Sequence, residues 1–414
     1  MRCEIINTGT ELMLGRVLNT HQQWLCRQLA DAGHAVDRQV AVADTADAIV
    51  QAVHEALGRA DLVVTTGGLG PTSDDFTRQV IAGLFGLPLA EDPAAAAHID
   101  RWFTDRGRVP PPGVRVQALV PAGATVLPNA HGTAPGLRLA TRTTPPRWLV
   151  MLPGPPRELR PMFLEQVLPW IGSTFPAPAH SVCRTLRSTG IGESSVQALL
   201  SGPLTDLVSA GLEIGYCCRP GEVDIRFMAR GAEAARLVAE AETRSRTELG
   251  PAVYGIDDDT LEAAVVGLLA RRPATLSVAE SCTGGLVASR ITDVPGASAV
   301  FRGGAVVYSN DLKQQLLGVR GETLAAHGAV SEPTAREMAE GARRRLGSDF
   351  ALALTGIAGP SGETAGKPVG TVFIALATPA ATRVEHHLNR YDRGTFKQVA
   401  SQQALELLRQ HLVS

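Results

Sequence analysis

The stretch AESCTGG, Ala279–Gly285, sets two candidate nucleophiles side by side, Ser281 and Cys282. Glu280 precedes them, and Thr283, Gly284 and Gly285 follow. A serine hydroxyl needs a base beside it, and a thiol needs a histidine partner or a depressed pKa. No histidine is close in sequence; the nearest downstream is His327. The basic residues offer another base. Of 39 lysines and arginines only Lys313, Lys367 and Lys397 are lysines. Burial can neutralise an amine but not a guanidinium, so a lysine kept in so arginine-rich a chain points to a titratable nitrogen in use. Lys313 lies 32 positions after Ser281, in YSNDLK, a natural span for a strand–helix–strand unit. Asn310 reads as a helix N-cap, which places Lys313 in the first turn. Tyr308 ends the preceding strand, FRGGAVVYS, and faces the same end. Consecutive side chains project differently, so one of Ser281 and Cys282 faces the pocket. The spacing favours Ser281, with Cys282 its competitor.

Two further loops suit phosphates. TTGGLGP (65–71) and LTGIAGP (354–360) each follow an apolar strand. Ligands of doubly wound sheets sit beyond the carboxyl ends of strands, where glycine lets backbone amides approach closely. Gly284 and Gly285 open a helix whose first amides could stabilise an oxyanion.

The elements that must hold these loops alternate in kind. CEIINTG, AVDRQVAVA, DLVVTTGG and RWLVMLPG read as strands, and NTHQQWLCRQLADAG, TADAIVQAVHEALGRA and PRELRPMFLEQVLPWI as helices. That alternation predicts a doubly wound α/β domain over 1–171. The Pro-rich run RVPPPGVRVQ reads as a surface loop, and FPAPAH as a linker. A small α+β module is expected over 172–254, from strands TLRSTG and EVDIRFMARG and helices near ESSVQALLSGPL and AEAARLVAEAETRSRTELG. A third α/β unit, 255–414, opens with the helix DDDTLEAAVVGLLARR. It runs through strands TLSVAES, FRGGAVVYS, FALALTG and GTVFIALAT to the helix FKQVASQQALELLRQHL.

Composition excludes several classes. A formal net charge of −2 offers no footprint for nucleic acid or an anionic membrane. No apolar run approaches the roughly 18 residues of a membrane span. Glu4 and Glu11 interrupt any signal-peptide core, so a cytoplasmic location is expected. Six cysteines without CxxC or Cys/His spacing argue against structural zinc or a disulfide framework.

AESCTGG, YSNDLK, LTGIAGPSG and KPVGTV resemble, in that order, the C-terminal domain of the CinA family. The resemblance implies a nicotinamide-nucleotide amidase, which hydrolyses the carboxamide of nicotinamide mononucleotide to the acid and ammonia without a cofactor. It implies a serine amidohydrolase in which Ser281 is the nucleophile, Lys313 the base and Tyr308 an assistant, and resolves the choice against Cys282. Substrate contacts carry over to Glu280, Thr283, Gly284, Gly285, Asn310, Thr355, Gly356 and Gly359. Arg393 in YDRGTFK matches a basic position of the family, with Tyr391 where the family usually has Gly.

NTGTELMLGRVLNTHQQWL, TTGGLGPTSDD and LPGPPRELRPMF resemble the N-terminal CinA domain, whose fold is that of molybdopterin-binding proteins. That resemblance implies a metal-dependent ADP-ribose pyrophosphatase. Thr10, Glu11, Asn19, Gly67, Gly68, Gly70, Pro71 and Gly154 become its expected substrate contacts. Glu11, Asp44, Asp74 and Asp75 become hard oxygen ligands for Mg²⁺ or a similar ion. The middle module, through STGIGES, resembles the linking domain of full-length CinA proteins. The reading is therefore a bifunctional enzyme of pyridine-nucleotide salvage, forming a homodimer and binding neither nucleic acid nor membrane. A molybdopterin-handling N-terminal domain, or a non-enzymatic recruitment factor in competence or DNA repair, are the alternatives.

Overall fold

The computed structural model describes residues 1–176 and 181–413, so the tail of the expected linker FPAPAH lies outside the described residues. The chain forms two compact units, Met1–Ser181 and Val182–Ser414.

In the first unit the runs Cys3–Thr8, Leu62–Thr66 and Trp148–Leu152 are nearly wholly buried, their polar members Glu4, Asn7, Thr8, Thr65 and Thr66 included. Such runs belong in the middle of a sheet covered on both faces. From edge to edge the strands are Val36–Val42, Cys3–Thr8, Leu62–Thr66, Trp148–Leu152, Gly136–Ala140 and Thr125–Leu127. The first four run parallel and the last two antiparallel. One face buries Leu25, Leu29, Phe163 and Ile171 from the helical segments Thr20–Asp31 and Pro156–Thr174. The other buries Ile49, Val53 and Ile81 from Ala46–Arg59 and Thr77–Leu84. The helical run from Pro156 is interrupted by a π-turn, Phe163–Val167, between Pro161 and Pro169; prolines lack the amide that an unbroken helix would use. The Pro-rich surface loop is only half so. Val109 is exposed, but Val114–Ala118 is a 3₁₀ turn that buries Val114, Gln117 and Ala118.

The second unit holds two sheets. Glu213–Arg219, Glu222–Arg230, Ser181–Thr189 and Val253–Ile256 form the smaller, packed against helices Glu193–Ser201 and Ala234–Leu249. The larger is ordered Phe301–Val306, Leu276–Glu280, Phe350–Gly356, Thr371–Ala377 and Thr382–Leu388. Its first three strands are parallel and its last two antiparallel. Helices Leu261–Arg271 and Arg393–Val413 cover one face, and Asn310–Leu317 and Glu332–Leu346 the other. Gly341 lies where a Cβ would stand 2.0 Å from the Leu317 carbonyl oxygen. Only glycine admits that close crossing, which seats the helix carrying Lys313.

Candidate active site

Leu276–Glu280 ends at the carboxyl edge of its sheet, and the turn Ser281–Gly285 follows. Ser281 N donates to Leu354 O (3.0 Å), which ties the turn to the neighbouring strand. Gly284 and Gly285 have φ of 63° and 95°, a left-handed pair that reverses the chain into helix Leu286–Thr292. Lys313 is 1% exposed, and its Nζ lies 3.2 Å from Ser281 Oγ. The same nitrogen donates to the carbonyl oxygens of Val307 (2.9 Å) and Tyr308 (3.3 Å). No carboxylate pairs with it among the described residues. Burial therefore pushes the Lys313 amine below its ordinary range. A neutral amine has two hydrogens and one lone pair. In the neutral form, with both hydrogens on the carbonyls, the lone pair would face the serine.

Cys282 points the other way. It is buried in the apolar core with Val278, Val287 and Phe396, and burial pushes its thiol up to about 12. A thiol so placed is inert.

The cap differs from expectation. Helix Asn310–Leu317 is capped by Ser309, whose side chain accepts from Leu312 N, so Asn310 is the first helical residue. Serine caps as well as asparagine does, and the strand stops at Val306, which leaves Ser309 extended at the helix start. Tyr308 is exposed, and its hydroxyl accepts from Arg393 (3.0 Å). Arg393 also donates to the Gly359 carbonyl (2.9 Å), so the 354–360 loop holds this arginine through an oxygen. Thr355 is buried and donates to Ala329 O, and a Cβ on Gly356 would stand 2.7 Å from Thr371 O; both serve packing.

Glu280 is a helix cap, not a surface for substrate. It is 1% exposed and accepts from the amides of Gly285, Val287 and Ala288. Those amides were the expected oxyanion donors, and a buried carboxylate already occupies them. Thr283 is fully buried, its hydroxyl without a partner among the described residues. Lys397, one of the three lysines, had no place in the expected site. Its Nζ would lie 3.7 Å from a Cβ on Gly284, which brings a second amine to the turn. Its position four residues after Arg393, on one helix face, was the available signal.

In the first unit Gly67 and Gly68 take φ of 97° and 67° at the end of Leu62–Thr66. A Cβ on Gly68 would meet Thr77 Oγ1 at 1.9 Å. Gly67 cannot offer its amide to a diphosphate, because that N–H donates to Leu152 O (3.0 Å). Glu11, Asn19, Gly67 and Gly154 line one cavity; Gly68, Gly70, Pro71 and Gly154 line a second. Asn19 also caps helix Thr20–Asp31.

The four expected metal ligands do not assemble. Among the described residues no group of three or more His, Cys, Asp or Glu side chains could hold an ion. Asp44 and Thr10 are locked in a reciprocal pair, Thr10 N to Asp44 Oδ2 (2.7 Å) and Asp44 N to Thr10 Oγ1 (3.2 Å). Asp74 and Asp75 both accept from the Thr72 hydroxyl. Their oxygens serve turns, so this set does not fit a protein-built metal centre. The site also contains groups not foreseen. Glu158 is buried, accepts from Asn129 Nδ2 (2.8 Å), and burial raises its carboxyl above the usual range. Gln117 and His21 line the cavities as well.

Three family models match the chain: the probable molybdopterin binding domain over residues 4–173, the damage-inducible protein CinA KH domain over 183–255, and the CinA C-terminal domain over 258–412. A CinA-like protein of Frankia casuarinae is 45% identical over 422 residues, covering 100% of this chain and 96% of that one. The chain belongs to the CinA family. A CinA-like protein of Akkermansia muciniphila is 44% identical, covering 98% of this chain and 96% of its own. The solved competence/damage inducible protein CihA of Agrobacterium tumefaciens is 43% identical over 37% of this chain and 94% of that one, with a TM-score of 0.35. In this CinA-family chain the middle module joins its two short helices by Gly202-Pro203-Leu204, not by the Gly-x-x-Gly that clamps nucleotides in KH domains. Its Arg187, Arg219, Arg244 and Arg246 are all ion-paired. Among the described residues no helix is long and apolar enough to cross a membrane.

Proposed function

We propose that the C-terminal region hydrolyses the carboxamide of nicotinamide mononucleotide through Ser281 and Lys313. The observation that carries this is the buried amine 3.2 Å from the Ser281 hydroxyl, with its other contacts made to carbonyl oxygens. Neutral Lys313 takes the Ser281 proton as Oγ bonds to the carboxamide carbon. The proton then passes to the departing nitrogen, the C–N bond breaks and ammonia leaves. Water, deprotonated by the same amine, attacks the resulting ester, which releases the carboxylic acid and restores the serine. The Arg393–Tyr308 pair at the rim supplies donors for the substrate's polar groups. Ammonia release from nicotinamide mononucleotide by the intact chain tests the reading, and its absence under metal-free and metal-supplemented conditions alike would remove it.

The N-terminal unit we read as a binder and hydrolase of ADP-ribose, supported by the two adjoining cavities at the carboxyl end of its sheet. A divalent ion would enter with the diphosphate and not in a cage of side chains, supplying charge neutralisation there. AMP formation from ADP-ribose, measured with added Mg²⁺ and with chelator, tests this. Equal rates in chelator would take the metal out of the reaction. A molybdopterin ligand is the competing outcome, and preferential binding of it would displace ADP-ribose.

A further inference from the structure

A third cavity of the first unit, of about 580 Å³, opens at the edge of the sheet opposite the glycine turns. Leu62 pairs with Trp148, and Trp148 with Ala140, so the turn 141–147 lies at the amino ends of the parallel strands. That turn and the last residues of helices Ala46–Arg59 and Thr77–Leu84 border the space. None of its lining residues also lines the cavities at the carboxyl edge, so it is separate from both hydrolytic readings.

The lining divides by chemistry. Leu57 and Leu139 belong to the buried core, and Leu84, Phe85 and Leu87 pack against it half-buried, which gives the cavity an apolar side. The ionisable side is wholly basic: His54, Arg142 and Arg147, with no acidic residue among the lining. Neither guanidinium has a carboxylate partner among the described residues. The turn that carries them is closed on itself, by Thr141 N to Arg147 O (2.8 Å), Arg147 N to Thr141 Oγ1 (2.9 Å) and Thr143 Oγ1 to Pro145 O (2.9 Å). Its hydroxyls are thereby spent on the loop, and the two guanidiniums remain to meet an anion.

Gly58 keeps the space open. It lies within helix Ala46–Arg59, and a Cβ there would meet nothing within 4 Å. Glycine weakens a helix relative to alanine, and neither a positive φ nor a close approach calls for it at this position. A hydrocarbon alone would leave the arginines unused, and a small polar anion would leave the leucines wet. A ligand with both parts answers both sides, and a carboxylate matches the planar guanidinium fork. We propose that this cavity binds a small amphipathic carboxylate, its apolar tail against Leu84, Phe85 and Leu139 and its head on Arg142 and Arg147. The volume is in the range of small-ligand sites.

Calorimetric titration of the intact chain with decanoate, below the concentration at which it aggregates, tests this. Wild type should bind decanoate saturably and roughly tenfold or more tighter than decanol, the same tail without the charge. Acetate, the head without the tail, should give no measurable heat. Arg142→Gln combined with Arg147→Gln should bring decanoate and decanol to within about twofold of each other. Gly58→Leu, whose side chain enters the open space, should abolish binding of both, and its thermal unfolding by far-UV circular dichroism shows whether the variant has folded. If it has not, the double arginine variant decides alone. No saturable binding of decanoate by wild type overturns the proposal outright. Decanol held as tightly as decanoate, or discrimination unchanged in the folded arginine variant, overturns the carboxylate head. Binding that persists in folded Gly58→Leu overturns the cavity as its place. An affinity that weakens as the chain concentration rises gives this face to a second copy of the chain and overturns the small-molecule site.

Discussion

In the C-terminal region Glu280 ends a core strand and is buried to 1% exposure; in the N-terminal unit Glu158 lies six residues beyond a core strand and is buried to 8%. The two carboxylates meet different neighbours. Glu280 accepts from three backbone amides at a helix start, so its charge is fully used in closing the turn that presents Ser281. Glu158 has one amide donor, from Asn129, and a loose, exposed ion pair with Arg157 at 3.9 Å, and it lines a cavity. Gly132 passes so close that a Cβ there would stand 2.0 Å from Glu158 Oε2. Burial alone therefore does not make a glutamate functional. A saturated carboxylate is architecture, and an undersupplied one is left with capacity for a ligand or a proton.

The largest expected effect lies in the turn that Glu280 closes. Ser281→Ala should lower ammonia release by on the order of 10⁴-fold or more, while Cys282→Ala keeps most of it. The reverse ranking would assign the chemistry to the buried thiol. Next comes Lys313→Arg, which keeps the charge but cannot become neutral, and should lose about a hundredfold or more in kcat. If arginine sustained turnover with a change mainly in KM, the lysine would be an electrostatic anchor instead of a base. In wild type, kcat/KM should fall as pH drops through the Lys313 value, which burial places below that of a free lysine.

The comparison itself breaks on a pair of isosteric changes. Glu280→Gln replaces a charged acceptor of three amides and should destabilise the C-terminal region by about 1.5–3 kcal/mol, with amidase activity falling alongside. Glu158→Gln, replacing a carboxyl whose charged form burial disfavours, should alter stability by less than about 1 kcal/mol at neutral pH. Far-UV circular dichroism in urea reads the first, and tryptophan fluorescence the second, because Trp24, Trp102, Trp148 and Trp170 all lie in the N-terminal unit. Equal losses would show that the two carboxylates are used alike.

The smallest effect is a pH dependence. The Glu158 carboxyl is raised on folding, so between its unfolded value near 4.5 and its higher folded value the native state binds more protons than the unfolded one. Wild-type stability should fall as pH rises through that window, and Glu158→Gln should lack this component. Fluorescence-monitored urea midpoints from pH 4 to 8 check it, and parallel curves for the two proteins would show that Glu158 is solvated like any surface glutamate.

The strands that hold both sites were legible because their apolar residues stop at glycine-bearing turns: CEIINT, LVVTT, WLVML and LSVAE each end where the structure places a turn. The edge strands Thr382–Leu388 and Glu213–Arg219 were not: TRVEHHL carries only two apolar residues, Val384 and Leu388, and EIGYCCR is interrupted by Gly215. Helix Glu332–Leu346 escaped for a related reason. Its buried face is small apart from Met338: Ala335, Ala339, Gly341 and Ala342 allow close crossing but give little periodic signal.

Sequence by itself determined the alternation of elements, the serine and the lysine 32 positions later, and the glycines that reverse the chain beyond the strands. These depend on residue type and local spacing, which period and propensity express directly. Only the tertiary structure decided that Cys282 turns into the core, that Glu280 consumes the amides beside Ser281, that Asp44, Asp74 and Asp75 are spent on turns, and that Gln117 is left unpaired beside Glu158. Each of those outcomes turns on which donor meets which acceptor, often between residues far apart in the chain, and the need to pair buried polar groups is settled only when the core closes around them.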